Sequence, residues 1–227
     1  MTLQEAIQQR HSVRQYQPKP IEKEKIEALL SAINECNQKS GLHMQLVTDE
    51  PNAFAGGLAK YGKFSEVNNY IAMICKKGQD TLLGFYGERI VLTAQTLGLN
   101  TCWVGLTFRK QPDRYEVRED ETLICVVALG YGSTQGKAHP QKKGIEHYCK
   151  VEGTMPDWFR RGMEAVLLAP TAINQQKFEF QLIAPNIVKA MTRFTLLNSY
   201  AKIDLGIAMC HFAIGAGEEN FQFEEMP

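Results

Sequence analysis

The chain has 227 residues, enough for one large domain or two small ones with a buried core. Its 25 lysines and arginines balance 25 aspartates and glutamates, so nothing drives it toward nucleic acid or a membrane surface, and neither partner is expected. An apolar content of 44% against 22% charged excludes a disordered chain, and no apolar run is long enough to span a bilayer.

The opening "MTLQEAIQQR" lacks an apolar signal core, and the six cysteines are scattered with no CxxC pair or zinc spacing. Both features point to buried, unpaired thiols in a cytoplasmic protein with no metal site. Thr2 and Glu5 form a capping box that starts a first helix, expected to end near Arg10; "VRQY" is then extended until Pro18 and Pro20. Residues 21–34 read as an amphipathic helix, with Ile26, Leu29, Leu30 and Ile33 on one face. A strand over 42–48, a Gly-rich loop and a buried strand over 70–76 follow. A long helix over 80–98, capped by Asp80 or Thr81 and stopped by Gly98, runs into "TCWVGL" and a core strand over 122–132. Residues 133–150 look irregular.

A second half opens near Met155. It reads as a helix over 158–169, the loop "PTAINQQ", a strand over 177–184, a short helix over 186–194 and a long helix over 199–217 rich in small residues. The helix-plus-strand pair 21–34 and 42–48 matches the pair 158–169 and 177–184, with "QLV" against "QLI". A degenerate internal repeat is therefore expected, with halves over 1–152 and 153–227.

Several short stretches carry chemistry or its dull equivalent. "RHSVR" gathers Arg10, His11, Ser12 and Arg14; a guanidinium fork plus a hydroxyl suits a phosphate, and a solvated turn would use the same residues. Lys142 and Lys143 are either exposed lysines or a second wall of that site. "APTAIN" offers Thr171 and Asn174 in a loop after Pro170, as a ligand contact or a capped turn. Trp103 beside Gly105 could admit a flat ring or simply pack in the core. "GYGSTQG" is spaced GxGxxxG and precedes Pro140, which argues against a dinucleotide fingerprint. No GxSxG, HExxH or P-loop is present, so the reactive atoms of an enzyme here would come from a cofactor, and no side chain is assigned as catalytic.

Taken in order, "RHSVR", "TLGLNTCWVGL", "ALGYG" and "QKKGIEHY" resemble the flavin-dependent nitroreductase family. The family's P-S-x-x-N-x-Q-P-W loop is missing after the second helix, where "NECNQKSG" stands, and a counterpart, "PTAINQQKF", occurs in the second half with Lys177 and Phe178 as departures. The resemblance implies an α+β nitroreductase-like fold, a central mixed or antiparallel sheet flanked by helices, with two degenerate halves imitating the family's homodimer within one monomeric chain. It implies FMN held by Arg10, His11, Ser12, Arg14, Lys142 and Lys143, bordered by Trp103, Val104 and Gly105, and approached by Pro170, Thr171, Ala172, Asn174 and Gln176. NADH or NADPH would then donate hydride to the flavin in a ping-pong cycle, and a small-molecule acceptor, a nitroaromatic or quinone, would take it. A flavin-binding sensor without turnover, or a family member that has lost FMN, are the rival readings.

Overall fold

The structure is a computed structural model, and it describes residues 1–57, 59–141, 143–195 and 200–225. The first helix, α1 (Leu3–Gln9), opens with the expected capping box: the Thr2 N–H donates to Glu5 Oε2 at 2.8 Å, and the Glu5 N–H donates to Thr2 Oγ1 at 3.2 Å. Helix α2 (Lys23–Ser40) runs past Asn34 because Cys36 extends the buried stripe of Leu29 and Ile33. It stops at Gly41, whose φ of +71° frees its N–H to reach Asn37 O at 2.8 Å. The next strand, β1, is only Gln45–Val47, and the Gly-rich loop contains a short helix, α3 (Ala59–Gly62). Strand β2 (Asn69–Lys76) is buried on both faces up to its last residue.

Helix α4 (Asp80–Thr96) has no side-chain cap, contrary to the expectation for Asp80 or Thr81; Gln79 occupies the cap position and turns its side chain back to Lys76 N. Gly98, at φ +77°, ends it as expected. Strands β3 (Asn100–Val104) and β4 (Glu121–Gly130) follow. The stretch read as irregular ends in a strand, β5 (Cys149–Val151). Helix α5 (Asp157–Val166) then leads to strand β6 (Phe178–Ala184).

The expected helix over 186–194 is instead a strand, β7 (Ile187–Thr192), paired antiparallel to β6. Pro185 and Asn186 make a two-residue turn between them, and hairpin pairing overrides the weak helical propensity of "VKAM". Helix α6 (Ala201–Ala216) matches the last expected helix, although Ser199, named as its first residue, lies outside the described residues. A final strand, β8 (Gln222–Phe223), was not legible. None of the six cysteines is in a disulfide, and five are buried. No helix of the described residues is long and apolar enough to cross a membrane.

The chain divides into two compact units. The first holds Gln9–Gln79 and Arg89–Lys137; the second holds Thr2–Gln8, Asp80–Glu88 and Ala138–Pro227. The sheet of the first unit has the order β1-β2-β4-β3 and is antiparallel throughout. Alternate residues of its central strands (Tyr70, Ala72, Ile74, Val126, Ala128) pack with Val13, Tyr16, Val47 and Phe54 into one core. The sheet of the second unit has the order β5-β6-β7-β8, with parallel pairs at both edges and an antiparallel centre.

That second core is aromatic. Phe180 stacks on Phe212 at 5.1 Å, and Phe159 meets Phe212 edge-on at 5.3 Å. Gly206 on α6 sits so close to α4 that an added Cβ would lie 1.9 Å from Thr81 O and 2.7 Å from Phe85 N. Gly84 returns the contact, since its Cβ would lie 2.2 Å from Ile203 O.

Candidate functional site

The stretch "RHSVRQY" is an extended strap across the sheet of the first unit. The Val13 N–H donates to Thr101 O at 3.0 Å, and Ser12 bridges Thr101 in parallel. Further on, the Ser65 N–H donates to Arg14 O and the Tyr16 N–H donates to Ser65 O, both at 3.0 Å. Arg10, Val13 and Tyr16 are buried at every third position, which leaves Ser12 half-buried and Arg14 exposed. Tyr16 anchors the strap by donating its hydroxyl to Ala128 O at 3.3 Å.

The glycine-rich stretch after β4 has a structural task that its spacing did not reveal. It lies against the strap: a Cβ on Gly136, already at φ +73°, would come within 2.9 Å of His11 Cβ and 3.0 Å of Ser12 O. Asn100 pins it by accepting from Gly132 N at 2.9 Å and donating to Gln135 Oε1 at 3.2 Å.

The electrostatics around the strap follow from burial and two arginines. Burial, then the charge of Arg10, lowers the His11 pKa below its usual 6.5, against a backbone hydrogen bond at Arg10, so the ring is mostly neutral at pH 7. Burial raises the Cys102 thiol, while Arg14, a hydrogen bond with Ser12 and Arg10 pull the other way. That thiol stays protonated at neutral pH.

Arg14 lines a recess of about 340 Å³ together with Trp103, Val104, Gly105, Lys63 and Phe64. Two cations, three aromatic rings and two glycines therefore line it, with no carboxylate among the described residues. Four residues named from the sequence (Arg14, Trp103, Val104 and Gly105) converge on this recess; Lys63, Phe64 and Tyr61 had not been singled out. Their signal was the pairing of lysines with aromatics in "LAKYGKF".

The second unit holds the loop from Pro170. Thr171 Oγ1 accepts from Gln176 N at 3.1 Å, and Asn174 Nδ2 donates to Pro140 O at 3.2 Å. Ile173, Asn174 and Gln176 all adopt positive φ (48°, 54° and 46°), a costly conformation for side-chain-bearing residues. Asp204 on α6 secures the loop by accepting from Ala172 N at 2.9 Å and from Gln175 Nε2 at 2.8 Å. Burial pushes the Asp204 pKa up to about 6 in spite of those two donors. A lone acid within the apolar run "IDLGIAMCHFAIGAG" was the available signal.

Gln176 is buried, with Oε1 accepting from the Tyr148 hydroxyl at 3.1 Å and Nε2 within 3.2 Å of His139 Nε2. Lys143 is exposed and lines a cleft of the second unit with Gln176, while Lys142 lies outside the described residues. No group of three or more His, Cys, Asp and Glu among the described residues could hold a metal ion.

The chain shares its fold, at a TM-score of 0.67 and 20% identity, with a "putative nitroreductase" of Thermotoga maritima, covering 100% of this chain and 90% of that one. A "Putative NADH dehydrogenase/NAD(P)H nitroreductase" of Bacteroides thetaiotaomicron matches at 24% identity and a TM-score of 0.48, over 64% of this chain and 94% of that one. An "FMN-dependent Nitroreductase" of Clostridium difficile matches at 20% and 0.46, over 60% and 90%. None of the curated proteins matches. The family model described as "Putative TM nitroreductase" matches residues 2–216. The chain belongs to this nitroreductase-like family.

Proposed function

We propose that the chain is an FMN-dependent oxidoreductase that takes reducing equivalents from NADH or NADPH and passes them to a quinone or nitroaromatic. The observation that carries this reading is the convergence of Arg14 with Trp103, Val104 and Gly105 around one recess of the first unit. Membership of the nitroreductase-like family supports it. The donor set suits the group. A phosphate-bearing planar ligand calls for cations free of acidic neighbours, flat apolar walls and accessible backbone, and the recess offers Arg14 and Lys63, Trp103 and Phe64, and Gly105. When bound, FMN supplies the hydride and electron chemistry itself.

The chain's own residues bind and orient. Arg14 gives a fixed charge and a planar fork, and Ser12 a hydroxyl set in place by its backbone pairing with Thr101. Arg10 and the neutral His11 belong to the same strap. The protonated Cys102 thiol adds no negative charge to repel an anion. The loop residues Pro170, Thr171, Ala172, Asn174 and Gln176, with Lys142 and Lys143, are proposed as further flavin contacts on the sequence pattern. The left-handed residues of that loop support the proposal, because such strain persists where a particular side-chain placement is needed.

Arg14→Ala tests the reading. Its FMN affinity should fall by about tenfold or more, followed by quenching of flavin fluorescence, because a phosphate or ring oxygen loses a charge-assisted donor. An unchanged affinity would remove Arg14 from the site. Reduction of the bound flavin by NADH or NADPH, then reoxidation by a quinone, separates an enzyme from a sensor.

A further inference from the structure

The second unit contains a cleft of about 540 Å³, within the size range of small-molecule sites. Its lining includes Lys143, Lys177 and Arg193, with Ile173, Tyr148 and Phe194, and no carboxylate among the described residues. Phe194 is 86% exposed and Ile173 76%, so two large apolar side chains stand in water beside three cations.

The three cations are not equivalent. The Arg193 guanidinium donates to Glu179 Oε2 at 3.2 and 2.8 Å and to His147 O at 2.6 Å. Glu179 also pairs with Lys150 at 2.9 Å. Burial would raise its pKa, but the hydrogen bonds from Lys150, Gln181 and Arg193 prevail and hold it at about 2. Arg193 is thus committed within the protein. Lys143 and Lys177 make no ion pair among the described residues. What remains for a ligand is a pair of lysine point charges, which suit a small anion without demanding a bidentate shape.

Ile173 is held in place by its backbone. Ile173 is β-branched and sits at φ +48°, a backbone outlier for such a residue. The bond from Ala172 N to Asp204 holds the turn that sends it outward.

We infer that this cleft binds a small aromatic carboxylate, its ring against Phe194 and Ile173 and its charge toward Lys177 and Lys143. The lysines take the charge and the apolar residues the ring, so neither an aliphatic acid nor a neutral aromatic satisfies both. Lys143 and Gln176 of this cleft are also among the proposed flavin contacts, whereas Lys177, Ile173 and Phe194 are not, so the Lys177 and Phe194 variants test the inference apart from flavin binding.

The test is a calorimetric titration of the full chain with 2-naphthoate, compared with the uncharged 2-naphthalenemethanol. The acid should bind saturably, the alcohol about tenfold more weakly, and added salt should weaken the acid alone. Lys177→Gln and Phe194→Ser, both at exposed positions, should each weaken the acid about fivefold or more. Arg14→Ala should leave naphthoate binding unchanged. The inference is overturned by the absence of saturable binding at millimolar ligand, or by equal affinities for acid and alcohol. It is equally overturned if neither Lys177→Gln nor Phe194→Ser changes the affinity, or if Arg14→Ala abolishes binding.

Discussion

Asp204 carries two hydrogen bonds that shape the loop after Pro170, and it does so as a carboxylate whose pKa is raised to about 6 by burial. The sign of the pH effect follows. Its folded pKa exceeds the unfolded value, so its contribution is fully favourable below about pH 4 and is lost as pH rises through 6, a swing of roughly 3 kcal/mol. Asp204→Asn should remove that swing. The stability difference between the two proteins, read by urea unfolding, should therefore change by about that amount between pH 4 and pH 7. A pH-independent difference would contradict the assignment. At this scale the sequence was partly legible. "RHSVR" and "TCWVG" stood out because guanidinium, hydroxyl, indole and glycine have few cheap structural uses together. Lys63 and Phe194 do not stand out, and Lys177 shows only as a departure from the family loop, because an exposed lysine or aromatic in a loop carries no signal until its neighbours are known.

Elements were legible where one rule dominates. The α1 capping box and the two-sided burial of β2 followed directly from side-chain chemistry and apolar runs. The β7 strand was read as a helix because six residues with lysine, alanine and methionine have no decisive local preference; pairing with β6 decides them. Short edges such as β5 and β8 exist only through parallel pairing with distant segments, which no local pattern encodes. The small residues of α6 acquire their meaning only in the fold, where Gly206 on α6 and Gly84 on α4 allow close backbone approach of α6 to the first turns of α4. Gly206→Ala would place a methyl against backbone atoms that cannot move independently of the helix. It should cost about 3 kcal/mol or prevent folding, read from the urea midpoint. An unchanged midpoint would contradict that close approach.

Across the whole molecule, the α+β class and the nitroreductase-like fold were legible from the order of motifs along the chain, and the family match covers nearly its full length. The division into units was harder to read, because α1 and the first half of α4 cluster with the C-terminal residues rather than with their sequence neighbours. The phosphate-type motif occurs once in the chain and so does the "PTAIN" loop. One flavin per chain is the expected stoichiometry, where a homodimer with two complete motif sets would also show one per chain but two per particle. Fluorescence titration of FMN into the purified chain, with particle mass from light scattering on the same sample, tests the central claim most directly. The account predicts saturation at one FMN per chain on a particle of monomer mass; no saturable quenching, or two FMN per chain, would contradict it.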